Sequence, residues 1–237
     1  MIVFDIETGP LPGDQIARLI PKFDGGHPGE FDPRAVKLGN CKDPVKIDQK
    51  IREAADAHRE AIAAVGAKQA EQKAKWMERA ALSPTTGQVL AVGFKSSTES
   101  HRILFEMSER ELIELTFSIF TSPSCDQFVG HNIHNFDLPF LVRRAWLLGL
   151  DVPYSLRVGR YWSPMFVDTM DVWSLGNRGE MISLDTLAKA CGLPGKPDGV
   201  NGGDFAKLLA TDRDAAIAYL KNDLEMTWAV AERLQIF

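Results

Sequence analysis

Cysteine is scarce in this chain: among 237 residues only Cys41, Cys125 and Cys191 carry a thiol. They are odd in number, scattered and without a C-x-x-C pair. That excludes a disulfide framework and reads as reduced thiols in a cytoplasmic protein. Long apolar runs are missing as well; none approaches the roughly 18 residues needed to cross a bilayer, so no membrane partner is expected. The opening residues MIVFDIETG hold neither a basic segment nor a cleavage site, and a secretory signal is not expected. Positive charge is not in excess, the net charge being −5. Without a global basic field, any contact with a polyanion has to be local.

What remains is enough for a sizeable core. Hydrophobic residues make up 45% of the chain and charged residues 25%, which suits one elaborated domain over residues 1–237. IVFDI reads as a strand running into a turn at Gly9, Pro10, Pro12 and Gly13. QVLAVGFK (88–95) and HRILFEM (101–107) read as a hairpin around polar SSTES. Ser108 opens a helix with Glu111 three residues later, a capping-box pattern. DQFVG is a short strand, LPFLVRRAWLLG a helix, and PMFVDTM another strand. Ser183 caps SLDTLAKACG, and a long helix runs from Asp214 to Arg233. The alternation predicts an α/β domain with a mixed sheet.

Residues 14–82 stand apart as a largely helical insertion between the first two core strands. Asp43 and Pro44 suit a helix start, and Ala, Lys, Glu and Gln then dominate. Unbroken by Gly66, this arm reaches on the order of 50 Å. Its apolar positions are too sparse for a core helix, so it reads as a solvated arm, with a substrate clamp or a partner surface as the alternatives.

The first strand raises a problem of charge. Asp5 and Glu7 share one face of it, about 7 Å apart, and burying two anions together is costly unless a cation compensates. Four further carboxylates bear on this. Asp137 follows a strand and loop at a helix start, where it also suits an N-cap. Tyr219 and Asp223 lie four residues apart on the last helix, on one face, where an Asp can equally be a solvated charge. Asp168 and Asp171 read as cap and turn residues. Cations shared by Asp5 and Glu7 remove the penalty of placing them together, and an all-oxygen donor set suits Mg²⁺ or Mn²⁺.

Taken in order, Asp-x-Glu on the first strand, NIHNFD (132–137) and YLKND (219–223) resemble the three motifs of the DnaQ-like 3′–5′ exonucleases of the ribonuclease H-like fold. Tyr219 four residues before Asp223, with Ala at 218, matches the tyrosine kind, called DEDDy. SLDTLAKACGLPGKPDGVNG is similar to one branch, the stand-alone predicted exonucleases related to the proofreading domain of family B DNA polymerases. The resemblance runs from Val3 to about Trp228; residues 14–82 have no counterpart in a minimal exonuclease domain.

The resemblance implies a ribonuclease H-like mixed β-sheet flanked by helices, and a metal-dependent 3′–5′ exonuclease. Such an enzyme hydrolyses phosphodiester bonds at 3′ ends of single-stranded DNA with two Mg²⁺ (or Mn²⁺) and releases nucleoside monophosphates in DNA repair or replication. Asp5 touches both metals in that scheme, Glu7 and Asp223 hold the one that activates water, and Asp137 helps hold the second. Tyr219 orients the attacking water, since a tyrosine with a pKa near 10 is a poor base. Thr8, Gly9, Asn132, His134, Phe136, Trp162 and Lys196 are candidate substrate contacts. A replication or repair protein is a candidate partner for the arm. The alternatives are a 3′–5′ exoribonuclease and a non-catalytic nucleic-acid or partner-binding module on the same scaffold.

Overall fold

The structure, a computed structural model, describes residues 1–98, 101–123, 127–156, 163–196 and 205–237. The chain divides into two compact units, residues 1–13 with 80–237, and residues 14–79. In chain order the elements are β1 (Ile2–Pro10), α1 (Gly13–Ile16), α2 (Pro44–Ala80), β2 (Gly87–Ser96), β3 (Arg102–Leu104), α3 (Glu109–Phe120), β4 (Phe128–Gly130), α4 (Asp137–Leu147), β5 (Phe166–Asp168), α5 (Thr169–Ser174), α6 (Leu184–Ala190), α7 (Phe205–Thr211) and α8 (Arg213–Arg233). No helix among the described residues is long and apolar enough to cross a membrane.

The sheet has the order β3-β2-β1-β4-β5. Its first three strands pair antiparallel, while β1–β4 and β4–β5 are parallel. This is the expected mixed α/β sheet. Two local expectations are corrected. The first strand does not turn at Gly9: its ladder with β2 continues to Pro10, opposite Gly87. The strand expected over PMFVDTM ends at Asp168, whose carboxylate accepts the Met170 N–H and starts α5 instead.

Alternation along β1 divides the unit into two layers. Phe4 and Ile6 point into the larger core with Phe94, Phe120, Phe128, Phe166 and the apolar faces of α3 and α4. Val3, on the opposite face, packs with Val129 and with Leu224 and Ala231 of α8. Asp5 and Glu7 have the parity of Val3, so they face the α8 layer. α3 begins at a capping box between Ser108 and Glu111, as its sequence predicts. A buried ion pair ties the helices to the sheet: Arg144 of α4 binds both oxygens of Glu109, and Glu109 Oε1 also accepts the Val89 N–H of β2.

In the second unit, α2 is one helix of 37 residues that continues through Gly66, about 55 Å at 1.5 Å per residue. The preceding chain lies along it. Gln69 donates to the Phe23 carbonyl, Gln72 accepts from the Gly25 N–H, and His58 meets both the Gly29 carbonyl and the Phe31 ring. These contacts cover one side of the helix and leave the other in solvent.

Candidate active site

Two elements far apart in sequence bring three carboxylates together. Asp5 and Glu7 come from β1 and Asp223 from α8, with one ligand oxygen of each lying within 4.8 Å of the others. The approach of α8 depends on Gly93 of β2, which pairs with Asp5 across the ladder. A Cβ at Gly93 would lie 2.7 Å from Leu224 Cδ1 and 3.0 Å from Leu220 Cγ. Only a residue without a side chain lets α8 sit this close to the strand beside Asp5. A β-bulge between Glu7 and Thr8 leaves Leu90 without a direct partner, the kind of irregularity that re-aims side chains next to a site.

Asp137 arrives from the other side of β1. It is the first residue of α4, but it does not cap that helix: Phe136 holds the cap position and no side chain makes the cap hydrogen bond. β4 pairs with β1 only at Ile2 and Val3, so the β1 edge beyond is open. Asp137 Oδ1 takes the Ile6 N–H there, at 3.1 Å. The N-cap alternative is thus replaced by a link between α4 and the strand that carries the acids.

The loop before α4 is held by Asp168, the most buried charged side chain among the described residues. Its two oxygens accept the N–H groups of Asn132, His134 and Met170. Asp168 therefore caps α5, as expected, and staples the second-motif loop as well. His134 Nδ1 lies 2.6 Å from Asp171 Oδ2. His131 is braced between the Thr169 hydroxyl and the Ile182 carbonyl, and its burial lowers its pKa.

Asp5, Glu7, Thr8, Asn132, Phe136, Asp137, Lys196, Tyr219 and Asp223 line one cavity of about 220 Å³, with Ile6, Leu82 and His131 completing its walls. Gly9 and His134 are not among these walls, and Trp162 lies outside the described residues. A larger hollow of about 510 Å³ beside α3 carries Arg110, Glu114 and Asp151, but these are exposed side chains.

The electrostatics of the cavity are those of crowded anions. Burial, then the like charges of Asp137, Glu7 and Asp223, hold the Asp5 carboxyl well above the ordinary carboxylate range. Burial and then Asp223 raise Glu7 in the same way. Burial pushes Asp137 up to about 7 despite the Ile6 N–H, which pulls it down. Asp223 is raised by burial, with Lys196 acting against the shift. Lys196 Nζ donates to Asp223 Oδ2 (2.6 Å) and to the Tyr219 hydroxyl (2.7 Å). Burial and then the Asp223 charge raise the Tyr219 pKa.

A divalent cation fits these residues on two observations. Asp223 Oδ1 is buried with no hydrogen-bond partner, a costly state unless something positive meets it. The three converging ligands are carboxylates, the donors that Mg²⁺ and Mn²⁺ prefer.

The family model described as a predicted 3′–5′ exonuclease related to the exonuclease domain of PolB matches residues 92–237. The chain belongs to this family. The match covers the segments that supply Asp137, Tyr219 and Asp223; Asp5 and Glu7 lie before it. Among solved structures, the exonuclease-family chain is similar to the family B DNA polymerase from the hyperthermophilic archaeon Pyrobaculum calidifontis. The two share 21% identity over 67% of this chain and 23% of the polymerase, with a TM-score of 0.54. That likeness is one of fold, and this chain spans about a quarter of the polymerase's length. No curated protein matches the chain.

Two features of the site were not singled out from the sequence. Gly93 signals itself only as a glycine inside a strand, a sign of close backbone approach. The second role of Asp168 has no local signal, because its partners Asn132 and His134 are more than thirty residues away.

Proposed function

We propose that the protein is a metal-dependent 3′–5′ exonuclease that hydrolyses phosphodiester bonds at the 3′ ends of single-stranded DNA and releases nucleoside monophosphates. The observation that carries this reading is the convergence of Asp5, Glu7 and Asp223 within one cavity. Asp5, Glu7 and Asp223 would hold two Mg²⁺ or Mn²⁺ ions there, and Asp137 would help to hold the second. Bound in this cage, the ions supply a nucleophilic water at neutral pH and positive charge for the attacked phosphate and the leaving oxygen.

The chain's own groups do the rest. Asp5 and Glu7 are fixed by the β1 ladder, and Asp137 by its bond to Ile6. Tyr219, one turn before Asp223, orients the attacking water through its hydroxyl; a pKa raised above the tyrosine norm makes it a positioning group, not a base. Thr8, Asn132 and Phe136 line the cavity where a terminal nucleotide would lie.

The test is a panel of 5′-labelled single-stranded DNA, duplex DNA and RNA with Mg²⁺ or Mn²⁺. A descending ladder on single-stranded DNA, abolished by EDTA, is expected. A ladder on RNA alone would make the protein an exoribonuclease. Internal cuts would make it an endonuclease, and binding without cleavage a non-catalytic module.

A further inference from the structure

Lys196 is placed where a cation cage has least room for it. Its ammonium lies 2.6 Å from Asp223 Oδ2, 2.7 Å from the Tyr219 hydroxyl and 4.6 Å from the Tyr219 ring centre. Its backbone N–H is anchored on Asp185 Oδ1 of α6. The side chain itself is 26% exposed, whereas that of Asp223 is 8% exposed. A fixed backbone with a flexible stem reaching toward solvent is an arrangement that allows the ammonium to leave without refolding anything.

Asp223 is therefore half satisfied. One oxygen has Lys196; the other is buried with no partner. A lysine ammonium and a divalent ion are rival partners for one carboxylate. Holding both sets a single against a double positive charge across a few atoms in a poorly screened pocket. That repulsion exceeds what a carboxylate loses when one hydrogen bond is withdrawn.

We propose that Lys196 is a displaceable internal counter-cation: it neutralises the Asp5–Glu7–Asp223 cluster while metal is absent, and it leaves Asp223 when metal enters. The inference rests on the metal-dependent reading given under Proposed function. It makes metal loading a competition, so occupancy of the site follows the surrounding divalent concentration.

The experiment is a calorimetric titration of the full chain with Mn²⁺, without nucleic acid and at one fixed pH. It compares wild type, Lys196→Met, Lys196→Arg and, as a control for net charge, Lys207→Met on the exposed side of α7. Lys196→Met should bind Mn²⁺ about tenfold more tightly or better, because the rival charge is gone. Lys196→Arg and Lys207→Met should bind no more tightly than wild type. In EDTA, Lys196→Met should melt several degrees below wild type, the gap closing at saturating Mn²⁺. If Lys196→Met does not fold without metal, Lys196→Gln gives the same comparison. Unchanged or weaker Mn²⁺ binding in the uncharged variants would overturn the proposal and leave the metal site standing. Absence of Mn²⁺ binding in every variant would remove the metal site itself.

Discussion

At the scale of single residues, Asp223 and Tyr219 sit one turn apart on α8 but should fail differently. Asp223→Ala and Asp5→Ala each delete one carboxylate of the converging cluster. Each should lower the rate of 3′-end removal by roughly 10³-fold or more, about 4 kcal/mol of barrier. Tyr219→Phe keeps the ring packed against Phe205 and loses only the hydroxyl. A loss nearer about 10²-fold is expected, the scale of a misplaced reactant rather than a missing one. Single-turnover rates on a labelled oligonucleotide separate the two; equal losses would assign Tyr219 more than positioning.

The crowded acids also predict a pH signature. Asp5, Glu7 and Asp137 all have folded-state pKa values above their unfolded ones. Folding without metal therefore takes up protons, and the stability this confers is present below the unfolded values, 3.8 for the two Asp and 4.5 for Glu7, and lost as pH climbs through the folded values, about 7 for Asp137. Bound Mg²⁺ removes the reason for the uptake. The melting-temperature difference between Mg²⁺ and EDTA should widen as pH rises across that window. A gap of constant width would mean that the ion does not meet these carboxylates.

At the scale of elements, Gly93 is what lets α8 reach β1. Gly93→Val drives its side chain into Leu220 and Leu224, both fully buried. Overpacking of this kind costs about 1–3 kcal/mol, which urea denaturation would measure. The same displacement should weaken Mn²⁺ binding, because Asp223 moves with its helix. A variant that loses stability but keeps full Mn²⁺ affinity would show that the approach of α8 is not set here. Asp168→Ala tests the loop in the same way. It leaves the Asn132, His134 and Met170 N–H groups without their acceptor, at a cost of about 2–4 kcal/mol.

These elements also mark what the sequence made legible. Alternation in IVFDIE placed Asp5 and Glu7 on one face, and the four-residue spacing of Tyr219 and Asp223 placed both on one side of a helix. Local period and capping chemistry carry that much. The end of β1 departs from the sequence expectation because a Gly-Pro pair signals a turn locally, while the partner that extends the ladder, Gly87, is nearly eighty residues away. Asp137 looked like a cap because its acceptor role toward Ile6 exists only after β4 stops short. Each departure involves a partner distant in sequence, which no local signal reports.

At the scale of the whole chain, charge is unevenly divided. Residues 14–79 hold 13 Lys and Arg against 11 Asp and Glu, a net +2, so of the total −5 the remaining residues carry −7. The unit that holds the cavity is the acidic one, in keeping with the cation binding proposed for the site. That unit is also closed on itself at the point where the other departs. Pro10 pairs with Gly87, and the Leu11 N–H donates to the Thr86 carbonyl, so the chain ends flanking residues 14–79 are already held together by a ladder. Replacing 14–79 with a short Gly/Ser loop asks the ladder to close over a shorter connection, which lowers the closure entropy. Such a chain should fold cooperatively and bind Mn²⁺ with an affinity close to that of the full chain. Loss of cooperative melting would mean that the arm completes the fold. Retained folding and Mn²⁺ binding with reduced cleavage of oligonucleotides would instead assign the arm to substrate.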